Sequence, residues 1–369
     1  MFKEIFDTYN WEEIKQNIYS KTSADVESAM SKTQRRTLED FKALVSPAAI
    51  DYIEQMAQLS RDLTLKRFGK NIQMYIPVYI SNECHNSCVY CGFSKKNNIK
   101  RITLTEEQIL KEIKEIKKLG FEHILVVTGE NDLKAGVEYF KKVLPLFKSE
   151  FTHVSMEIQP LMQSGYEQLI QLGLNTILIY QETYNKNFYK NFHPAGKKSD
   201  FYFRLETPDR LGKANINKIG IGFLIGLDDW RTEAFYTSLH LNYLEKNYWK
   251  TKYSISFPRL RPAAGEFEPI VNITDKELVQ LICAYRIFNE NVELSISTRE
   301  SEKFRDNLIK LGITNISAGS KTNPGGYSVF KESLKQFEIH DKRSPEEISE
   351  IIKQQGYEVV WKDWDKTYN

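Results

Sequence analysis

From residue 71 onward the apolar positions fall into two alternating patterns. Short, nearly continuous runs rich in β-branched and aromatic residues are followed by longer stretches in which apolar residues recur every three or four places. The first pattern predicts strands buried on both faces, and the second predicts amphipathic helices laid over them. Asn71–Ile80 is the first such strand and Phe121–Thr128 the second, with further strands at Val154–Ile158, Thr176–Tyr180, Lys218–Ile225, Tyr253–Phe257, Val292–Ser297 and Thr314–Ser317. Thr105 opens a helix whose first turn carries Glu106 and Glu107 at the positive end of its dipole, and Leu119-Gly120 closes it. Within it, the lysines from Lys111 to Lys118 alternate with Glu112, Glu115, Ile113 and Ile116, which makes a solvated face and not a polyanion site.

Eight strands joined by helical crossovers require a parallel sheet. Eight βα units predict an α/β fold of the TIM-like (β/α)8 barrel type, complete or split. Residues 71–318 form this barrel in the prediction. Residues 1–70 read as a helical N-terminal extension, and residues 319–369, with Pro324-Gly325-Gly326 and a late helix from Ser344, as a C-terminal extension packed on the barrel. No stretch rich in Gly, Pro or Ser marks a flexible joint, and no repeat beyond the βα unit is visible.

Charge and composition narrow the functional classes. The charged residues nearly cancel, at +2 for the whole chain, so no basic field favours nucleic acid. No apolar run is long enough to span a bilayer. The start, Met1-Phe-Lys-Glu-Ile-Phe-Asp, lacks the uninterrupted apolar core of an export signal. With few, clustered cysteines, this predicts a reducing, cytoplasmic setting.

Those cysteines carry the chemistry. Three of the four, Cys84, Cys88 and Cys91, lie in Glu-Cys-His-Asn-Ser-Cys-Val-Tyr-Cys-Gly-Phe with the spacing C-x3-C-x2-C. Three thiolates on one loop suit a [4Fe–4S] cubane whose fourth iron has no protein ligand, and an open metal position is where chemistry occurs. Tyr90 adds an aromatic plane beside it. A structural zinc site wants four ligands, commonly as two paired knuckles, and no second pair exists, although His85 could serve on paper. Cys283 lies far away in an apolar helical stretch and reads as core. The loop follows directly on the first strand, at the end of a barrel where catalytic groups collect.

This loop resembles the radical S-adenosylmethionine (SAM) superfamily. The resemblance implies one [4Fe–4S] cluster whose open iron is chelated by SAM, with reductive cleavage of SAM to methionine and a 5′-deoxyadenosyl radical. Other stretches match on the same terms. Thr128-Gly129-Glu130 stands where the family has a Gly-Gly-Glu-like element, with Glu130 toward the SAM amino group. Glu182, in Gln181-Glu182-Thr183, matches a residue on the ribose hydroxyls, and Arg204 an arginine on the SAM carboxylate. Gly222 and Gly226 lie where backbone approaches the adenine. The bland readings are caps or surface carboxylates for Glu130 and Glu182, and an ion pair with Glu206 or Asp200 for Arg204.

Further segments narrow the resemblance to the 2-iminoacetate synthase family, the tyrosine lyases of thiamine thiazole biosynthesis. They are Tyr180–Tyr184, His193–Phe201, Thr207–Leu211, Asp229–Arg231, Phe257–Pro262, Ser297–Glu300 and Pro324–Tyr327. The family's reaction implies L-tyrosine as substrate, 2-iminoacetate and p-cresol as products, an electron donor such as flavodoxin or ferredoxin, and a complex with thiazole synthase. A related hydrogenase-maturation lyase carries a second cluster on late cysteines, and no cysteine follows Cys283 here. The tyrosine carboxylate needs a cation, and Arg299 follows strand seven at the catalytic end, with a surface or structural ion pair as its bland reading; Arg259 and Arg261 compete but read more readily as structural. Tyr79 could line the pocket or pack the core, and Ser297 could position substrate or serve as a structural hydroxyl. The segment from His193 to Lys198 reads as a lid, a partner surface or an ordinary turn, and His85 and Asn86 as loop geometry. A lyase for another aromatic amino acid or pathway remains as an alternative, as does an iron–sulfur electron carrier, which would want a fourth thiolate.

Overall fold

The predicted strands close on themselves. The computed structural model describes residues 1–263, 267–330 and 335–362, so the end of the extension expected over 319–369 lies outside the described residues. Eight parallel strands follow in chain order: β1 (Asn71–Ser81), β2 (His123–Thr128), β3 (His153–Glu157), β4 (Thr176–Leu178), β5 (Lys218–Gly222), β6 (Lys252–Ser256), β7 (Glu293–Ile296) and β8 (Asn315–Ser317). Each pairs with the next, and β1 pairs with both β2 (Ile76 with Ile124) and β8 (Met74 with Ile316). This is a closed TIM-like (β/α)8 barrel, complete and not split.

A ninth strand, β9 (Glu358–Val360), corrects the count made from sequence. It follows the late helix Pro345–Gln354 and runs parallel to the lower part of β1, pairing Ile72 with Val359. Strands β4 and β5 also stop earlier than their apolar runs suggest. At Gly222 the chain runs against β6 so closely that a β-carbon would lie 1.9 Å from the Ser256 carbonyl oxygen. Past that point only the isolated bridges Glu182–Phe223 and Ile225–Arg259 continue the pairing.

Helices form where their caps and faces predict them. Thr105 caps Glu106–Lys118 in a reciprocal box with Gln108, and Ser344 caps Pro345–Gln354 with Glu347. The N-terminal helices dock on the outer helices through aromatic rings. Phe2 stacks on His240 at 3.8 Å, Trp11 on Tyr236 at 5.3 Å, and Phe41 meets Tyr285 at 5.2 Å. Burying a ring such as Phe2 or Phe41 completely contributes roughly 1.5–3 kcal/mol. Cys283 is wholly buried in the helix Asp275–Phe288, as core. No helix among the described residues is long and apolar enough to cross a membrane.

The lumen is layered. Its lower part is polar and paired across neighbouring strands: His123 meets Ser155 at 2.9 Å, His153 meets Thr176 at 3.0 Å, and Lys218 pairs with Glu293 at 2.8 Å. Above lies an apolar belt of Tyr79, Phe93, Leu125 and Val127. The belt walls a cavity that opens at the C-terminal ends of the strands.

Candidate active site

The cavity holds about 1530 Å³ of empty space, its mouth included. One wall is the cysteine loop. Cys84, Cys88 and Cys91 all line the cavity, and none is in a disulfide. The loop is tied to the barrel by backbone bonds from His85 N–H to the Glu130 carbonyl (3.0 Å) and from Gly129 N–H to the Ser81 carbonyl (2.9 Å). Its outer side is held by Ser87 N–H to the Ala195 carbonyl (3.1 Å) and Val89 N–H to the Phe192 carbonyl (3.1 Å).

The thiols fit an iron–sulfur cube better than a single ion. Among the described residues no three Cys, His or carboxylate side chains converge tightly enough to hold one metal ion. A cube takes its thiolates at separate corners, so its ligands stand wider apart than those of mononuclear zinc. Burial drives the Cys84 thiol up to about 11 and raises Cys88 and Cys91 as well; neighbouring thiols and Glu130 add repulsion at Cys84 and Cys88, and Glu182 at Cys91. Three such thiols bind as thiolates only to a group that brings positive charge, as cluster iron does.

The C-terminal segment completes this wall. Gln336 donates from Nε2 to Cys91 Sγ (3.7 Å), accepts from Tyr79 Oη at Oε1 (2.7 Å), and accepts at its carbonyl from Gly92 N–H (3.3 Å). A β-carbon at residue 92 would lie 2.5 Å from that carbonyl oxygen. Gly92→Ala is therefore expected to push the segment off the loop and lower the melting temperature by a few degrees, equivalent to about 1–3 kcal/mol. Differential scanning calorimetry of the two proteins checks this; an unchanged transition with full cluster content would show that the contact is slack.

Beside the thiols lies a compact set of charges. Arg204, nearly buried, donates from Nη1 to Glu130 Oε1 (2.9 Å) and from Nε to the Tyr180 carbonyl (2.6 Å), and lies 3.6 Å from Glu182. It thus pairs with Glu130, not with Glu206 or Asp200. Lys198 donates to Glu182 Oε1 (2.7 Å), and Asn86 Nδ2 to Glu130 Oε2 (2.7 Å). Burial works against every charge here, yet Arg204 and Lys198 hold the Glu130 carboxyl below its ordinary range. In turn Glu182, Cys88 and Glu130 keep Lys198 protonated. Two cations and two carboxylates complement the zwitterionic end of an amino-acid-bearing cosubstrate.

Tyr90 faces the cavity beside Cys88 and donates from Oη to His193 Nε2 (2.8 Å). Burial holds His193 neutral, and its Nδ1–H donates to the Tyr189 carbonyl (2.9 Å), which leaves Nε2 as the acceptor. The stretch from His193 to Lys198 is thus neither a plain turn nor a free lid. It braces Tyr90, backs the cysteine loop through Ala195, and delivers Lys198.

Arg299, Ser297 and Tyr79 line the same cavity, Tyr79 on the thiol wall beside Gln336. Arg299 lies over the Phe337 ring at 3.4 Å and makes a long 3.5 Å contact to the Arg259 carbonyl. Its competitors are occupied: Arg259 holds both Glu300 oxygens (3.0 and 2.9 Å) and Asp275 (2.7 Å), and Arg261 also pairs with Glu300 (3.0 Å). Gly222 and Gly226 do not line the cavity; Leu224, between them, and Leu260 do. Sequence reasoning missed Lys198 as a cavity group, and it missed Gln336 and Glu157. Glu157 had one visible signal: polar residues alternate at His153, Ser155 and Glu157 in a strand otherwise read as buried on both faces.

Comparison with known proteins places these features. Residues 78–239 match the radical SAM superfamily, and residues 256–358 match the Biotin and Thiamin Synthesis associated domain. A 2-iminoacetate synthase of Escherichia coli (strain K12) is 49% identical over 365 residues, covering 99% of this chain and 97% of that protein. Among solved structures, the [FeFe]-hydrogenase maturase HydG superposes with a TM-score of 0.90 at 32% identity, over 95% of this chain and 80% of that one. HydG from Carboxydothermus hydrogenoformans gives 0.86 at 30% identity, over 99% and 84%.

Proposed function

The chain belongs to the 2-iminoacetate synthase family of radical SAM enzymes, and from that premise we propose that it is a tyrosine lyase. It breaks the Cα–Cβ bond of L-tyrosine to give 2-iminoacetate (dehydroglycine) and p-cresol, for the thiazole of thiamine. The observation that carries this reading is Arg299. Among the described residues it faces the cavity with no carboxylate within ion-pair distance, whereas Arg204, Arg259, Arg261 and Arg305 each have one. An enclosed cation left alone is costly, so the cavity suits a ligand that brings its own carboxylate.

Cys84, Cys88 and Cys91 would hold the [4Fe–4S] cluster, which with bound SAM supplies a 5′-deoxyadenosyl radical able to take a hydrogen atom from the substrate amino group. The chain's own residues do the rest by orientation and electrostatics. Glu130 and Glu182 present carboxylates to the ammonium and ribose hydroxyls of SAM, while Arg204 and Lys198 offer cations to its carboxylate. The stretch from Gly222 to Gly226, whose Leu224 lines the cavity with Leu260, is the proposed approach of the backbone to the adenine. Tyr90 would form an aromatic wall beside the cluster site, held in place by His193. Across the cavity Arg299 takes the tyrosine carboxylate, with Ser297 and Tyr79 shaping the pocket beside it.

2-Iminoacetate hydrolyses in water, so a thiazole synthase docked to take it directly is the fitting partner, and flavodoxin or ferredoxin the fitting source of electrons in a reducing cytoplasm. Anaerobic reconstitution with iron and sulfide, followed by SAM, dithionite and tyrosine, tests the reading. p-Cresol together with 5′-deoxyadenosine is the expected result. 5′-Deoxyadenosine without p-cresol would remove tyrosine as substrate, and no SAM cleavage would remove the radical chemistry.

A further inference from the structure

The carboxylates around the cavity are saturated, with one exception. Glu130 is held by Arg204 and Asn86, Glu182 by Lys198, and Glu300 by two arginines. Glu233, buried beneath β4, accepts from Thr183 and from Tyr184 N–H. Glu157, at the C-terminal end of β3 and level with Val127 of β2, faces the cavity and makes no hydrogen bond or ion pair with any described residue. It lies within the electrostatic reach of Glu182 on the thiol side and of Arg299 on the other. Glu157 and Arg299 are thus two ionisable groups of opposite sign that share one cavity and lack charged partners.

That pairing matches the head of an α-amino acid, whose carboxylate and ammonium sit on one carbon. We propose that Glu157 binds the substrate's α-ammonium, opposite Arg299 on its carboxylate, and takes one proton from it. The inference rests on the tyrosine-lyase reading above. The proton passes from nitrogen to a carboxylate oxygen of Glu157, converting ammonium and carboxylate into amine and carboxylic acid; no electrons change hands. An enclosed site favours this neutral pair over the charged one. Burial already holds the Glu157 carboxyl up to about 7, with Glu182 pushing the same way and Arg299, Lys198 and Arg204 opposing. The ring hydroxyls of Tyr75, Tyr79 and Tyr180 also face it and feel its charge. An amine freed of its extra proton has the lone pair that stabilises a nitrogen-centred radical, which an ammonium lacks.

The test compares tyrosine with 3-(4-hydroxyphenyl)propionate, the same molecule without the amine, in the cluster-loaded protein. Equilibrium dialysis gives both dissociation constants for wild type, Glu157→Gln and Glu157→Asp. In Glu157→Gln tyrosine should bind roughly 10- to 100-fold more weakly, as for a lost charged hydrogen bond, and the amine-free acid as in wild type. At saturating tyrosine, kcat for p-cresol should fall by about 100-fold or more because an amide accepts no proton, and Glu157→Asp should recover part of it. Equal weakening for both ligands, weakening for neither, or an unchanged kcat would overturn the proposal. If wild type yields no p-cresol, the tyrosine reading fails on its own. The same paired binding with tryptophan and indole-3-propionate then decides Glu157.

Discussion

Cys88→Ala is expected to leave the barrel folded and the cluster unbuilt. Cys88 is only 5% exposed, so the substitution removes one buried sulfur and costs about 1 kcal/mol of stability, a small part of what a closed barrel of this size holds. Its effect on cofactor assembly is total. The loop offers three thiolates and the described residues converge on no replacement metal site, so two thiolates must anchor a cube built for three. After anaerobic reconstitution the variant should show background iron and sulfide, no cluster absorption in the visible, and no SAM cleavage, with a melting temperature near that of the wild-type apoprotein. A variant that kept a full cluster would show that the ligand set has been misassigned.

Arg299→Ala should produce the second large effect, and a selective one. Arg299 is hydrogen-bonded or ion-paired to none of Glu130, Glu182, Arg204 and Lys198, which hold one another, so SAM binding and uncoupled 5′-deoxyadenosine formation should persist. Tyrosine loses the only cation among the described cavity-lining residues that has no carboxylate partner, and truncating one member of an enclosed charge pair costs about 2–5 kcal/mol. kcat/KM for tyrosine should therefore fall at least about 30-fold. Arg299→Lys should restore little, because the planar guanidinium both reaches the carboxylate and lies flat on Phe337. Steady-state kinetics with direct SAM-binding measurements separates the effects; an unchanged tyrosine requirement would take Arg299 out of the site.

What could be read from the chain without coordinates follows physical range. The cysteine loop was legible because its three ligands are neighbours in sequence, and the eight strands because burial on both faces leaves continuous apolar runs. Arg204 and Arg299 were found by matching motifs, yet only the fold shows that one is paired and the other open. Lys198 reads as an ordinary surface lysine in a Gly-Lys-Lys turn, because nothing local says that Gly196 backs onto Asn86 and turns the next residues inward. Gln336 was invisible for the same reason: its three contacts reach Tyr79, Cys91 and Gly92, hundreds of positions earlier. β9 was overlooked because three residues after a helix carry too little pattern to announce a strand whose partner is β1.

The contact between Gln336 and Cys91 joins residues 245 positions apart. During synthesis the cysteine loop leaves the ribosome well before the segment that closes its wall, 245 positions later. Iron delivered to the nascent chain meets three thiols on a half-walled loop, open to oxygen and to the wrong metal. Cluster loading is therefore expected once Gln336 has emerged, and a pulse of iron–sulfur donor should mature chains that expose it far better than nascent chains stalled before it.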